Sequence, residues 1–364
     1  MIKRLFKRFV QNLDGWLLLG LLLLMATGLI VLYSASSQNL SRVLAQASNM
    51  LLGLAGMWVV ANISPQNLER VAWPIYVAGI ALLIGVALFG EVVNGARRWL
   101  HIGIARIQPS EIMKIALPLM LAWYFSRHES SLRLRDYAIA TLLLLLPLGL
   151  IARQPDLGTA LLIAASGLYV LFLAGLSWRL MAGLALVALA AAPLSWSMLH
   201  DYQQRRILTL LDPSQDPLGA GYHTIQSSIA LGSGGIFGKG WLAGTQSRLD
   251  FLPERSTDFI FAVFAEEFGL VGNIVLLILF FLLAARGMMI TINAPTLFSR
   301  LMAGSITLTF VTYAFVNMGM VSGILPVVGV PLPFISYGGT ALVTLLLGFG
   351  ILMSIQSNKK LMKR

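Results

Sequence analysis

Apolar residues run along this chain in blocks of about 18 to 22, parted by short polar turns, which is the length a helix needs to cross a bilayer. Ten such blocks fall at about 16–35, 45–63, 73–90, 111–126, 137–152, 157–176, 179–199, 258–285, 300–322 and 333–355. The pattern predicts an all-α polytopic membrane protein of about ten transmembrane helices. Strands of a membrane barrel would instead show short alternating segments. The longest polar stretch, about 200–257, lies between spans seven and eight and is expected as one large outer loop. No soluble domain or internal repeat stands out, so residues 1–364 read as a single integral membrane domain.

Ahead of the first block, Met1 to Val10 places Ile2, Leu5, Phe6, Phe9 and Val10 on one helical face and Lys3, Arg4, Lys7 and Arg8 on the other. That is the pattern of a short interfacial helix on anionic lipid. Ser34-Ala35-Ser36 faintly resembles a signal-peptidase site, but the run before it is too long for a signal sequence, so an uncleaved first span is expected.

Composition sharpens this picture. Of 364 residues 57% are hydrophobic and only 11% charged, with mean hydropathy +0.81, values that no soluble domain of this size shares. There is no cysteine, which excludes disulfides and thiolate metal sites. The net charge of +11 sits at the ends and in short loops, which points to membrane orientation and away from nucleic acid. With both termini in the cytoplasm, the inner segments hold 15 of the 26 basic residues, among them Arg70, Arg127, Arg133, Arg135, Arg286 and Arg300. The remainder, including Arg42, Arg97, Arg98, Arg106, Lys114, Arg153, Lys239 and Arg255, fall on or near the outer face, an excess that calls for an anionic partner there.

Three outer segments carry the polar chemistry. Glu91 to Glu111 contains paired arginines, a tryptophan and a Pro-Ser-Glu that reads as a helix start with Ser110 as N-cap. Its helix sets Glu111 and Lys114 on one face. Arg153-Gln154-Pro155-Asp156 is a tight polar hairpin, with Asp156 placed to cap the next helix. The 200–257 loop is rich in glycine (Gly232-Ser233-Gly234-Gly235, then Gly238-Lys239-Gly240) and reads as a partly helical lid. It closes on Glu254-Arg255-Ser256-Thr257-Asp258, with Glu266 and Glu267 following inside an apolar run. Carboxylates at membrane depth are costly and so are functional suspects. Against this, Thr257 or Asp258 ahead of an apolar helix is also an ordinary N-cap. Further on, three prolines and several glycines between Ser322 and Gly339 interrupt the approach to the last span, an arrangement tolerated where backbone lines a cavity.

QPSEIMK (108–114), RQPDLGTA (153–160), DPLGAGYH (216–223), GSGG with GKGW (232–241), LPERSTDFIFAVFAEEFG (252–269) and GVPLPFISYGG (329–339) together resemble the SEDS family, named for shape, elongation, division and sporulation. The resemblance covers nearly the whole chain. The Pro-Glu-Arg before Asp258, the GILPVVGVPLP run and the short N-terminal tail are similar to its elongation branch more than to its division branch. The resemblance implies a peptidoglycan glycosyltransferase of the bacterial inner membrane that polymerises lipid II at the periplasmic face. It also implies a class B penicillin-binding protein as crosslinking partner, within the elongation machinery. Members of the family were earlier regarded as lipid II flippases, and a flippase or a division-type polymerase are the alternatives.

Such transfer needs a base for the acceptor 4-hydroxyl and cations for the leaving pyrophosphate. The resemblance makes Asp258 the base. A helix N-terminus favours the charged form of a carboxylate and so weakens it as a base. Position 256 is Ser where the elongation branch more often has His, so histidine help from there is absent. Glu254 is the reserve base, and otherwise the rim partner of Arg255. Lys114, oriented by Glu111, lines the pyrophosphate cavity, with Arg98, Arg106 and Arg42 as further phosphate ligands. The competing reading is a surface ion pair for Lys114 and headgroup snorkelling for the arginines. Gln108, Gln154 and Asp156 complete the polar cavity. Glu266 and Glu267 read as structural or coupling residues. The four histidines show no zinc spacing, and the loop glycines follow no strand, so a nucleotide fold is excluded. No cofactor is required by these motifs; a divalent cation bridging a carboxylate to pyrophosphate remains open.

Overall fold

A computed structural model describes residues 12–93, 96–102, 105–129, 132–154, 156–195, 204, 208–210, 212, 220–248, 251–252 and 254–362. The expected interfacial helix at 1–10 lies outside them. In chain order the elements are α1 (Gly15–Ala35), α2 (Leu40–Ala61), α3 (Pro65–Arg70), α4 (Ala72–Phe89), β1 (Glu91–Val93), β2 (Ala96–Ile102), β3 (Ala105–Ile107), α5 (Pro109–Arg127), α6 (Leu134–Ala152), α7 (Leu157–Leu173), α8 (Trp178–Ser195), α9 (Ala220–Ser233), α10 (Thr245–Arg248), α11 (Ile260–Ile292), α12 (Leu297–Val321) and α13 (Thr340–Met362).

Each of the ten expected apolar blocks falls largely on a helix; residues 196–199 of the seventh lie outside the described residues, and the helix of the tenth begins at Thr340, after the Pro- and Gly-bearing turn at 333–339. Among the described residues, seven helices are long and apolar enough to cross a membrane by length and composition: α1, α2, α4, α6, α11, α12 and residues Thr340–Asn358 of α13. The blocks at 111–126, 157–176 and 179–199 fall on α5, α7 and α8. α5 differs from its neighbours because it carries Glu111 and Lys114 and yet is buried on nearly all sides, at 14 of its 19 residues. It packs against α4, α7 and α12. α12 is the other interior helix, with 67% of its most apolar stretch buried against 22% for α2 and α11. The rest of the bundle wraps around this pair: α13 lies on α2, α11 on α1 and α12, and α9 on α11.

The all-α expectation needs one correction. Residues 91–107 form a small antiparallel meander, with Glu91 opposite Trp99 in one pair and His101 opposite Arg106 in the other. The segment is too short and too charged for a span. Asn94-Gly95, between β1 and β2 in sequence, is the dipeptide that favours a two-residue hairpin. Two cap expectations also change. Gln108 occupies the N-cap of α5 with Pro109 at the first helical position, so Ser110 is inside the helix and buried. α11 starts at Ile260 with Phe259 at its N-cap, so neither Thr257 nor Asp258 occupies that position. Asp156 does cap α7, accepting from the Thr159 amide.

Candidate active site

Two groups of polar residues meet across one loop. The first is built on the adjoining ends of α5 and α7. Asp156 Oδ1 holds the Thr159 amide at 3.2 Å, while its Oδ2 takes Gln108 Nε2 at 3.4 Å and faces Arg98 Nε at 3.8 Å. Gln154 is buried beside it, and its Nε2 has no hydrogen-bond partner among the described residues. One turn into α5, Lys114 Nζ lies 2.5 Å from Glu111 Oε1 and 5.1 Å from the centre of the Tyr313 ring. Both side chains of this ion pair are at most 9% exposed, so it is not the surface pair that spacing alone allowed. Glu111 Oε2 and Ser110 Oγ are buried without partners among the described residues. Buried polar atoms left open in this way are costly unless something polar occupies the space beside them. Arg106 lies in β3 across from His101, and its side chain is outside the described residues.

The second group surrounds the Glu254–Asp258 segment, which is a turn. The amides of Thr257 and Phe259 both donate to the Glu254 carbonyl, and Glu254 itself has φ +49°. A non-glycine residue there stores strain that its surroundings must hold in place. The surroundings do so through four contacts. Arg42 Nη1 donates to Ser256 Oγ at 3.3 Å, and the Tyr337 amide donates to the Ser256 carbonyl at 2.9 Å. Ser336 Oγ donates to the Thr257 carbonyl at 2.6 Å, and Asn317 Nδ2 to the Asp258 carbonyl at 2.8 Å. Asn317 also bonds the Val330 carbonyl at 2.7 Å, and Gln46 braces Ser336 and Gly338. Glu254 and Arg255 turn to different neighbours: Thr257 Oγ1 donates to the Glu254 carboxylate at 2.7 Å, and Arg255 reaches Ser37 Oγ at 2.9 Å.

The loop through Val328, Gly329 and Val330 joins the two groups. On one side a Cβ at Gly158, in the first turn of α7, would lie 2.5 Å from the Val328 carbonyl oxygen. On the other, a Cβ at Gly329, whose φ is +74°, would lie 3.4 Å from Asp258 Oδ2. The Asp258 carboxylate therefore faces bare backbone of the same loop that packs on the Asp156 helix. His223 of α9 stacks on Phe259 with ring centres 5.5 Å apart. Burial pushes its pKa down from the ordinary histidine value and so favours a neutral ring, while the nearby Glu254 charge opposes this.

Of the residues singled out by sequence, Arg98, Gln108, Gln154 and Asp156 come together, Glu111 and Lys114 pair one turn below, and Arg42 joins the Asp258 turn. Sequence reasoning missed Gln46, Tyr313 and Asn317. Gln46 and Asn317 are fully buried amides in apolar helices, and a lone amide in such a run is the signal that could have found them. Among the described residues no three His, Cys, Asp or Glu side chains converge on a metal position. Two apolar grooves, of about 530 Å³ between α11 and α12 and about 380 Å³ between α1 and α11, carry none of this polar chemistry.

This bundle, with a buried charged helix and a strained acidic turn at its end, is that of a multi-pass membrane protein with a polar site built into one end of the helices. Residues 15–361 match the family described as Cell cycle protein, FTSW_RODA_SPOVE, and the chain belongs to it. The chain is 54% identical over 355 residues to the peptidoglycan glycosyltransferase MrdB of Escherichia coli, covering 97% of this chain and 96% of that one. Its fold matches a solved chain from a study of structural coordination of polymerization and crosslinking by a peptidoglycan synthase complex. That match has a TM-score of 0.82 and 33% identity over 95% of this chain and 98% of the other. The rod shape determining protein RodA of Thermus thermophilus matches with a TM-score of 0.72 and 30% identity over 95% and 97%.

Proposed function

We propose that this chain is a peptidoglycan glycosyltransferase that polymerises lipid II for elongation of the cell wall, with Asp258 as its general base. Ten spans with both termini in the cytoplasm would set the 200–257 loop and the two polar groups on the periplasmic side of the inner membrane. The observation that carries the reading is the Asp258 turn, held on three backbone carbonyls by Tyr337, Ser336 and Asn317 while its carboxylate faces the Gly329 backbone. A rigid, backbone-braced carboxylate is what proximity catalysis requires. Asp258 accepts the proton of the acceptor 4-hydroxyl as that oxygen bonds to the donor's anomeric carbon. The anomeric carbon–phosphate oxygen bond breaks, its electron pair leaves with undecaprenyl pyrophosphate, and the α-linked donor becomes a β-linked product in one displacement. Lys114, Arg98, Arg106 and Arg42 are the cations for that pyrophosphate, with Gln108, Gln154, Glu111 and Asp156 orienting them. Gln154 keeps an open amide nitrogen, a donor that suits such a ligand.

Identity to MrdB and likeness to the rod shape determining protein favour the elongation role over the division role. Likeness to a chain of a peptidoglycan synthase complex supports a class B penicillin-binding protein as partner. Purified protein, alone and with that partner, incubated with lipid II, is expected to release glycan strands. Translocation of lipid II across vesicles without strand formation would replace the polymerase reading with a transporter. Neither activity in any setting would leave a scaffold.

A further inference from the structure

The glycine-rich run that sequence reads as a lid is spliced into α11. At Gly269 the helix leaves helical geometry, with φ +63° and ψ −161°, a conformation essentially restricted to glycine. The rungs broken there are satisfied by the loop. The amides of Leu270 and Val271 donate to the carbonyls of Gly235 and Ile236 at 2.9 and 3.0 Å. In return the amides of Lys239 and Gly240 donate to the carbonyls of Glu266 and Glu267, each at 3.0 Å. The fit leaves no room for a side chain, since a Cβ at Gly238 would lie 2.1 Å from the Glu267 carbonyl oxygen.

One carboxylate fastens this splice. Glu266 is fully buried, and its Oε1 accepts from Lys239 Nζ at 2.7 Å, the Thr245 amide at 2.9 Å, Thr245 Oγ1 at 3.0 Å, the Gln246 amide at 3.1 Å and Ser233 Oγ at 3.3 Å. Lys239 Nζ also donates to Thr245 Oγ1 at 2.7 Å. The neighbouring Glu267 receives the hydroxyl of Ser34 at the end of α1. Trp241 donates from its indole to the Ile30 carbonyl at 3.2 Å and packs on Tyr33. The turn after α1 in its turn supplies Ser37 to Arg255.

The stretch of α11 between Asp258 and Gly269 is therefore a short helix pinned at its foot by the splice. We infer that Lys239 and Glu266 form a positioning pair which, by locking the 233–246 loop into the break at Gly269, sets the height and angle of the Asp258 carboxylate. The pair touches no substrate and acts through the helix. This inference rests on Asp258 being the base. A displacement of the order of 1 Å at a reacting group costs up to about 100-fold in rate, so loosening the splice should appear in turnover more than in substrate binding.

The test uses the full chain with its transpeptidase partner and lipid II as probe. Glu266→Gln keeps an acceptor oxygen but drops the charge, and leaves behind a lysine side chain already 28% exposed; Lys239→Met removes the cation; Lys239→Arg restores it. Turnover, KM for lipid II, melting temperature and amide exchange over 254–262 are measured for each, with Asp258→Asn alongside. The expected result is a turnover loss of between about 10- and 100-fold in E266Q and K239M. KM stays near wild type in both. The melting temperature stays near wild type in E266Q, whose remaining lysine is partly exposed, and falls in K239M, which strands a buried carboxylate. Exchange over 254–262 is faster, and K239R recovers activity. Wild-type turnover and exchange in both variants would overturn the inference. So would losses that only follow the melting temperature and that K239R does not relieve. If Asp258→Asn polymerises normally while the two variants still speed exchange, the base assignment falls and the splice stands as a structural lock. If Asp258→Asn is inactive while the variants behave as wild type, the pair is not a positioning device and the base stands.

Discussion

Lys114 and Glu111 sit where an unpaired charge has no water to turn to, and that decides how their variants behave. Removing one partner of a buried pair leaves the other uncompensated, which costs about 3–5 kcal/mol, whereas replacing both is often neutral. Lys114→Met alone is therefore expected to be destabilised and inactive. The double variant Lys114→Met with Glu111→Gln is expected to regain most of the stability and, if Lys114 is the cation proposed for pyrophosphate, to stay inactive. Thermal unfolding with a lipid II polymerisation assay separates the two effects. A double variant as active as wild type would return the pair to a purely structural role. The sequence placed these two residues on one face of a helix correctly, but their burial depends on α12 supplying Tyr313 beneath Lys114, and no local pattern encodes that.

Among the elements, α11 departs furthest from its sequence pattern. The apolar block at about 258–285 reads as one uninterrupted helix, with Gly269 a tolerated glycine within it, whereas the structure runs it over Ile260–Ile292 with a break at Gly269. The break is legible only once the 235–240 turn is seen to replace two of its rungs, a pairing between segments some thirty residues apart that periodicity cannot report. Gly269→Ala is expected to lower the melting temperature, since a Cβ would meet the Gly238 amide nitrogen at 2.2 Å and the backbone there costs a non-glycine residue about 1–3 kcal/mol or more. An unchanged melting temperature would show that α11 can run straight through. Other elements were legible. The ten apolar blocks fall on ten helices, and Asp156 is the cap that its position suggested. The small sheet at 91–107 was not legible, because its strands are three to seven residues long and carry too few alternating positions to outweigh the helical blocks on either side.

At the scale of the molecule, polar groups scattered along the sequence gather at the end of the bundle where α5, α7, α11 and the Val328–Val330 loop meet. The chain has no cysteine, so single introduced thiols report orientation cleanly. Phe237→Cys, on a side chain 82% exposed in the spliced loop, is expected to react with a membrane-impermeant maleimide in spheroplasts, while Asn293→Cys in the turn after α11 reacts only after the membrane is opened. The reverse pattern would place the site on the wrong face for extracytoplasmic polymerisation. The sequence marked Asp258 and the basic residues as candidates, but not the Gln46, Asn317 and Ser336 braces around the Asp258 turn, because these act through backbone groups that any sequence would present. The most direct test of Asp258 as the base is strand synthesis from lipid II by wild-type protein and by Asp258→Asn, each with the proposed penicillin-binding partner. Asparagine keeps the size and the backbone contacts of the turn and cannot take the proton, so strands should vanish while folding and partner binding persist. Strand formation at the wild-type rate would contradict the assignment and make Glu254 the next candidate.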